Sequence, residues 1–138
     1  MKFEGNIWVL GDDIDTDIII PTEYLAMESI EDMRKYAFSP LRPELAGSIN
    51  PGDIIVAGKN FGCGSSREQA PEIIKSLQVS CVIAKSFARI FYRNAINNGL
   101  LLIENDKLPD VVSEGEKILV SIGEFAEHKG VKYDLSPL

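Results

Sequence analysis

Histidine and cysteine are scarce in this chain, and their scarcity excludes several kinds of active site. The 138 residues include one histidine, His128, and two cysteines, Cys63 and Cys81. One histidine cannot build a histidine-ligated metal site, and two cysteines cannot hold a four-cysteine iron–sulfur cluster. Most Ser-His-Asp and Cys-His arrangements are excluded unless His128 takes part, and its "AEHKGVK" context predicts an exposed turn. So few cysteines provide no disulfide framework, which favours a reducing cytoplasm.

Positive charge and long apolar runs are also in short supply. The formal net charge is −7, which argues against a nucleic-acid partner and against binding to an anionic membrane. No apolar stretch approaches the roughly 20 residues that a membrane span needs, and the N-terminus lacks the pattern of a signal peptide. We therefore expect a soluble, cytoplasmic chain in which a local cluster of donors must hold any anionic small molecule.

The chain does have apolar runs of strand length that alternate with helical patterns. Three runs predict buried strands: "IIVAG" (54–58), "CVIA" (81–84) and "LLLI" (100–103). Helices are predicted between them, one starting at Ser65 or Ser66 and the other, capped by Ser86, over 87–97. This strand–helix alternation predicts parallel strands with right-handed crossovers.

The flanking segments predict one more helix and short strands that are either antiparallel or form a second small sheet. Short strands are expected at 7–10 and 17–20, a helix at 29–38, a loop at 39–53, and a strand at 117–122 before a terminal hairpin. The predicted fold class is therefore α/β, with a mixed or parallel sheet flanked by helices and a small antiparallel β portion. We expect it to form a single domain over residues 1–138.

The most specialised stretch is "NFGCGSSREQA" (60–70). Ser65 begins the S-x-x-E pattern of a capping box, which predicts a helix N-terminus with free backbone N–H groups. Gly62 and Gly64 would let a ligand approach the backbone closely. Arg67 adds a planar guanidinium that suits a carboxylate or phosphate. Together these features predict an anion site with a hydroxyl group beside it.

Plainer interpretations of this stretch remain open. Ser65 could be only a helix cap, and Arg67 only a surface charge. Cys63 could be an exposed nucleophile, although no histidine lies nearby in the sequence to activate it, and a small apolar filler is the alternative. The stretch is not a phosphate-binding loop, because it lacks the G-x-x-x-x-G-K-[ST] pattern.

Three blocks, taken together, resemble a known family: "GDDIDTDIIIP" (11–21), "GKNFGCGSSREQAP" (58–71) and "KSFARIFYRNAINNGL" (85–100). Their order and spacing are similar to the swivelling domain of the aconitase superfamily, and within it to the small subunits of 3-isopropylmalate dehydratase. The resemblance covers roughly residues 5–125. It implies a hydro-lyase subunit of leucine biosynthesis that is inactive alone. The [4Fe–4S] cluster would belong to a large subunit, with no cofactor bound by this chain.

The resemblance also implies roles for individual residues. In the family's G-S-S-R-E motif the first serine abstracts the proton next to a carboxylate, a role that falls on Ser65. Ser66 and Arg67 would hold the substrate carboxylate and the developing charge. The family's T-D motif, whose acidic residue belongs to the active site, maps onto Thr16 and Asp17. The predicted catalytic residues are thus Ser65, Ser66, Arg67 and Asp17, and Thr16 and Gly64 are predicted substrate contacts.

Residues 21–27, "PTEYLAM", correspond to the family's specificity loop. Homoaconitase-like members carry an arginine after the Tyr-Leu pair, where this chain has Ala26 and then Met27. An uncharged, apolar loop favours an isopropyl group over an extra carboxylate. Tyr24, Leu25, Ala26 and Met27 are therefore predicted substrate contacts, with packing against the partner subunit as the alternative.

Two further expectations concern the third block and the end of the chain. Arg89 and Arg93 are predicted to be structural, either tying loops together or meeting the large subunit. Many family members continue into a further helix after the last strands, whereas this sequence stops at "YDLSPL" (133–138). The subunit contacts near that end are therefore not predicted.

The expected partners are a cluster-bearing large subunit and a small dicarboxylate substrate, and self-association of the isolated chain is left open. Two other functions remain possible from the sequence. The first is a small subunit of homoaconitase or of another hydroxy-acid hydro-lyase. The second is a module that binds a small anion without catalysis.

Overall fold

The computed structural model describes residues 1–135, which form a seven-stranded mixed sheet. The strands are β1 (Lys2–Val9), β2 (Ile54–Ala57), β3 (Cys81–Ala84), β4 (Leu102–Glu104), β5 (Lys117–Ser121), β6 (Phe125–His128) and β7 (Val131–Asp134). Their order across the sheet is β4-β3-β2-β1-β5-β6-β7. The sheet is parallel from β4 to β1 and antiparallel from β1 to β7. β1 contains most of the strand predicted at 7–10, and it pairs in parallel with β2 as well as antiparallel with β5, so the expectation of a purely antiparallel flanking strand is wrong there. Residues 136–138, the last three of the predicted domain, lie outside the described residues.

The helices lie in the connections between these strands. They are α1 (Thr16–Ile19), α2 (Ile30–Met33), α3 (Leu45–Ser48), α4 (Gln69–Ser76), α5 (Arg89–Asn97) and α6 (Leu108–Val111). Short 3₁₀ segments at Thr22–Tyr24 and Arg34–Tyr36 follow α1 and α2. Among residues 1–135, no helix is long and apolar enough to cross a membrane.

Burial on both faces explains why β2 and β3 are apolar at every position. All four residues of each strand are buried. Alternate side chains point to opposite faces of a sheet. Ile55 and Val82 therefore belong to the core that includes α4 and α5, whereas Ile54 and Ile83 belong to the core on the other face. A sheet covered on both faces is typical of parallel α/β architecture, and the predicted fold class is confirmed.

The segment predicted as a strand at 17–20 is helical instead. Asp15 caps α1, because its carboxylate accepts the N–H of Ile18 at 2.9 Å. The isoleucines of "DIII" favour a strand by propensity, but a capped turn decides the local structure. The predicted loop at 39–53 likewise contains a helical turn, α3, whose Leu45 is buried.

Helices α4 and α5, which follow β2 and β3, begin later than predicted. The first residue of α4 is Gln69, so Ser65 and Ser66 belong to the preceding loop and Ser65 caps no helix. Pro71 then lies in the first turn of α4, where its missing N–H costs nothing. Similarly, α5 begins at Arg89, and the predicted cap Ser86 accepts the N–H of Asn60 at 2.9 Å instead.

His128 is buried, in contrast to the exposed turn that the sequence predicts. It ends β6 with an exposed fraction of 4%, and its Nε2 lies 2.8 Å from Oε1 of Glu116. The same carboxylate accepts from Lys129 Nζ at 2.6 Å and from the N–H of Ser113 at 2.7 Å. These contacts, with Lys129 the largest and His128 next, lower the pKa of Glu116 to about 2. The alternation along β6 turns residue 128 inward, and the hairpin tip follows it.

Candidate active site

The three sequence blocks lie in the connections that follow β1, β2 and β3. These strands are parallel neighbours, so their carboxyl ends meet at one edge of the sheet. The connections after β2 and β3 also pair directly, through a parallel bridge between Phe61 and Phe87. Open α/β sheets bind ligands outside this edge. The topology therefore brings residues from distant parts of the sequence into one place.

Hydrogen bonds fix the first block (11–21) against the serine loop, which is residues 58–68 between β2 and α4. The N–H of Thr16 donates to the carbonyl of Cys63 at 2.9 Å, and its hydroxyl donates to the carbonyl of Ser65 at 2.8 Å. The N–H of Gly62 donates to the carbonyl of Ile14 at 2.7 Å. Thr16 has an exposed fraction of only 3%, so its contacts are shielded from water. Thr16 thus positions the backbone that carries Ser65.

Two glycines shape this loop for different reasons. Gly62 has φ +84, and a side chain there would collide with the ring of Phe91. Gly64 has φ +94 but ordinary space around it, so its backbone conformation is the constraint. Within residues 1–135, no acceptor is bonded to the backbone N–H groups of Gly64, Ser65 and Ser66. These N–H groups can therefore donate to a ligand.

A cavity of about 200 Å³ opens beside the loop. Its lining combines polar side chains with the first turn of α5: Thr16, Gly62, Gly64, Ser65, Ser66, Arg67, Ala88, Arg89, Ile90, Phe91 and Asn94. The serines are exposed to solvent. The helix whose N-terminus borders the cavity is α5, not the predicted helix at Ser65, and its N-cap residue Ala88 provides no side-chain cap.

The guanidinium of Arg67 is engaged by oxygen atoms from the connection after β1. Nη2 lies 2.6 Å from Oδ1 of Asp17 and donates to the hydroxyl of Thr22 at 2.8 Å. Nη1 donates to the carbonyl of Ile20 at 2.8 Å. The Arg67 side chain is 13% exposed and that of Asp17 is 64% exposed. The connection after β1 therefore positions Arg67 and places the carboxylate of Asp17 beside its guanidinium.

The structure brings together most of the predicted site, but not all of it. Thr16, Gly64, Ser65, Ser66 and Arg67 share the cavity, and Asp17 joins them through Arg67.

The predicted specificity residues lie outside that cavity lining. Tyr24 stacks on Tyr36 with ring centroids 4.0 Å apart, and Leu25 and Met27 pack against the core. Ala26 is exposed. Their role as substrate contacts stays a prediction. To touch these residues, the ligand or a partner would have to extend beyond the 200 Å³ cavity.

Sequence reasoning missed Arg89 and Asn94 as cavity residues. It also predicted that Arg89 and Arg93 either tie loops together or meet the large subunit. Neither guanidinium has a hydrogen-bond or ion-pair partner among residues 1–135, so they tie no loops there, and contact with the large subunit stays a prediction. The aromatic face of this block does pack inward, with Phe91 and Ala95 buried. The sequence did contain a signal for these two cavity residues. The third block follows β3, a parallel neighbour of β2, and therefore begins at the same edge of the sheet as the serine loop.

The surroundings of both cysteines disfavour the thiolate form. Burial, with smaller contributions from Asp15 and Asp13, raises the pKa of the Cys63 thiol. Cys81 is buried within β3, and burial raises the pKa of its thiol as well. No group of three or more His, Cys, Asp or Glu side chains among residues 1–135 is placed to hold a metal ion. The described residues therefore do not fit an iron–sulfur cluster.

Comparison with known proteins identifies the family. Residues 41–108 match the aconitase C-terminal domain. The 3-isopropylmalate dehydratase small subunit of Lachnospira eligens is 70% identical over 137 residues, which cover 99% of this chain and 84% of that protein. The chain belongs to the family of 3-isopropylmalate dehydratase small subunits. The family resemblance predicted from the three blocks is confirmed.

Two further comparisons, both with Methanocaldococcus jannaschii, extend this result. The isopropylmalate/citramalate isomerase small subunit of Methanocaldococcus jannaschii is 49% identical over 119 residues, covering 86% of this chain and 71% of that protein. A crystal structure of 3-isopropylmalate dehydratase from the same organism superimposes with a TM-score of 0.90 at 41% identity, covering 96% of this chain and 80% of that one. The fold of the family is therefore retained.

Proposed function

We propose that this chain is the small subunit of a 3-isopropylmalate dehydratase, a hydro-lyase that converts 2-isopropylmalate to 3-isopropylmalate in leucine biosynthesis. One observation carries the proposal. Thr16 and the Ser65–Arg67 segment, which are far apart in sequence, meet in one cavity of a chain that is 70% identical to a protein of that name. The family name implies a large subunit, which would complete the site.

The proposed chemistry begins at Ser65. Its oxygen, as the alkoxide, takes a proton from the carbon next to a substrate carboxylate. The electron pair of that C–H bond forms a C=C bond while hydroxide leaves the neighbouring carbon. Ser65 then returns the proton to one carbon and hydroxide adds to the other, so the hydroxyl group moves by one position. The iron–sulfur cluster expected in the large subunit would supply the Lewis acid for the departing hydroxide.

The surroundings of Ser65 support this role because an alkoxide needs hydrogen-bond donors. The backbone N–H groups of Gly64, Ser65 and Ser66 have no acceptor among residues 1–135. Preorganised donors of this kind stabilise developing negative charge without having to reorient during the reaction. Ser66 would then contribute a hydroxyl donor to the bound substrate.

Asp17 and Arg67 act as a unit in this proposal. Arginine has five N–H donors, and three oxygen partners in the connection after β1 already engage Nη1 and Nη2 of Arg67. The donors that remain can contact a substrate carboxylate, while Asp17 holds the guanidinium at the cavity wall. Asp17 therefore contributes by positioning Arg67.

A second candidate function differs only in the substrate. The related protein of M. jannaschii is named as an isopropylmalate/citramalate isomerase small subunit. Citramalate carries a methyl group where isopropylmalate carries an isopropyl group, and an apolar pocket discriminates weakly between such groups, by roughly 10- to 200-fold for a methylene. The present cavity is therefore compatible with either substrate class.

The proposal is tested by co-expressing the chain with a cluster-bearing large subunit and assaying the complex anaerobically. 2-Isopropylmalate, citramalate and homocitrate form the substrate panel. We expect turnover of 2-isopropylmalate, and a Ser65→Ala complex should lose about 10²- to 10⁴-fold of it, the range for removing a general base. Ser48→Ala, in α3 and away from the cavity, is the matched control.

Three outcomes of this assay would distinguish the candidate functions. Undiminished turnover by an assembled Ser65→Ala complex would remove Ser65 from the mechanism. Preferred turnover of citramalate or homocitrate would reassign the substrate. A complex that binds dicarboxylates but turns over none of the panel would support a non-catalytic anion-binding module.

A further inference from the structure

Arg89 shares the candidate active-site cavity with Ser65 and Ser66. It is the first residue of α5, and its side chain is exposed. Two cationic side chains, Arg67 and Arg89, line the cavity, and no acidic side chain does so within residues 1–135. Sequence motifs single out Arg67, so the contribution of Arg89 emerges only from the fold.

The two arginines differ in how much of their charge is available. Arg67 lies 2.6 Å from the carboxylate of Asp17 and also donates to Ile20 and Thr22. Arg89 has neither an ion-pair partner nor a hydrogen-bond acceptor in the described part of the chain. A guanidinium without a partner presents its full charge and its planar fork of donors to whatever enters the cavity.

The proposed substrate class makes this difference important. A dicarboxylate brings two negative charges to a chain whose formal net charge is −7. Asp17 offsets part of the charge of Arg67. Arg67 alone therefore provides less positive charge than the two carboxylates of the substrate require. We infer that Arg89 binds a carboxylate group of the substrate and so sets the affinity of the site for dicarboxylates. This inference rests on the proposed function.

Arg93 provides a matched control within the same helix. It lies one turn after Arg89, is exposed, and likewise has no ion-pair partner among residues 1–135. It lines a neighbouring cavity of about 500 Å³ together with Arg89 and Glu104, but it does not line the cavity that holds Ser65. Replacing Arg93 changes the charge of the chain equally without altering the site.

The experiment compares Arg89→Gln, Arg89→Lys and Arg93→Gln in the complex with the large subunit. The first readout is KM for 2-isopropylmalate at saturating large subunit. The second is the dissociation constant of 2-isopropylsuccinate, which keeps both carboxylates but has no hydroxyl group to eliminate. Binding of 2-isopropylsuccinate is also measured in the Ser65→Ala background, so the result does not depend on turnover. Subunit affinity is measured in parallel.

We expect Arg89→Gln to raise both constants about tenfold or more, in line with the loss of one charge-assisted contact. Arg89→Lys should recover part of the affinity, and Arg93→Gln should match the wild type. Constants within twofold of wild type for Arg89→Gln would overturn the inference. So would a loss that appears only as weaker subunit affinity, because Arg89 would then be a docking residue. If the wild-type complex shows no turnover but still binds 2-isopropylsuccinate through Arg89, the proposed function is refuted and the inference about Arg89 is not.

Discussion

The guanidinium of Arg67 lies 2.6 Å from the carboxylate of Asp17, which joins the serine loop after β2 to the helical turn after β1. The two partners are unequally shielded, since the Arg67 side chain is 13% exposed and that of Asp17 is 64% exposed. An exposed carboxylate can be lost at little cost, because water replaces its contacts. A largely shielded guanidinium that also donates to a backbone carbonyl cannot be replaced so easily.

Single substitutions in this pair should therefore have unequal effects on stability. Asp17→Ala should cost less than about 1 kcal/mol, as is usual for exposed ion pairs. Arg67→Ala should cost about 1–3 kcal/mol, because it leaves the carbonyl of Ile20 without its donor. Urea denaturation of both variants measures the difference. Equal costs for the two variants would show that the carbonyl contact contributes nothing.

Substitution of Gly62 should disturb the site through Phe91. Gly62→Ala places a side chain against the Phe91 ring and also forces a non-glycine residue to φ +84. Gly123 has φ +74 with open space around it, so Gly123→Ala isolates the backbone cost of about 1–2 kcal/mol. Gly62→Ala should cost about 1–3 kcal/mol more, as overpacking does. Thermal unfolding of both variants gives the comparison, and similar losses would contradict the predicted collision.

Glu116 should make the stability of the fold depend on pH in the acid range. Its pKa is lowered from 4.5 to about 2 in the folded chain, chiefly by Lys129 and then by His128. A lowered folded-state pKa means that the unfolded chain binds the proton more tightly, so this stabilisation is complete above pH 4.5 and is lost as pH falls towards 2.

Glu116→Gln tests this dependence, because the amide does not titrate. We expect the variant to be less stable than the wild type at pH 7 and the difference to shrink between pH 5 and pH 2, as measured by urea denaturation across that range. Glu127→Gln is the control, since Glu127 precedes His128 in β6 and has no ion-pair partner among residues 1–135. A constant difference across this pH range would rule out titration of Glu116 as the cause.

The thiol of Cys63 should be dispensable. Burial, Asp15 and Asp13 raise its pKa, so little thiolate exists at neutral pH. Cys63→Ala should leave turnover of the reconstituted complex close to that of the wild type. In the wild-type chain, alkylation by iodoacetamide should be slow at pH 7 and faster at pH 9 for Cys63, whereas Cys81 should react only after unfolding. Rapid labelling of Cys63 at pH 7, together with inactivation, would restore the nucleophile hypothesis.

Local patterns in the sequence predicted the central strands because the sheet buries both faces of those segments, so that an apolar run of strand length matches its surroundings. The runs at 54–58 and 81–84 contain β-branched or apolar residues at nearly every position, which suits a parallel strand covered on both faces. The segment 17–20 shows the same composition but forms a helix, because the carboxylate of Asp15 satisfies the N–H of Ile18. Strand propensity does not take account of that side-chain hydrogen bond.

The sequence by itself determined the family and the parallel pairing of the strands between residues 54 and 103, since three spaced motifs and an alternating strand–helix pattern occur along the chain. The order of the strands, with β1 beside β2, came from the structure. Only the tertiary structure decided which charges face the cavity. Parallel pairing aligns the carboxyl ends of β1, β2 and β3. This alignment directs Arg67 towards Asp17 and places Arg89 beside Ser65 with no ion-pair partner in the part of the chain that the structure describes. The same holds for His128, whose burial follows from the register of a hairpin. Such pairings depend on distances between segments that are remote in sequence, and no local pattern encodes those distances.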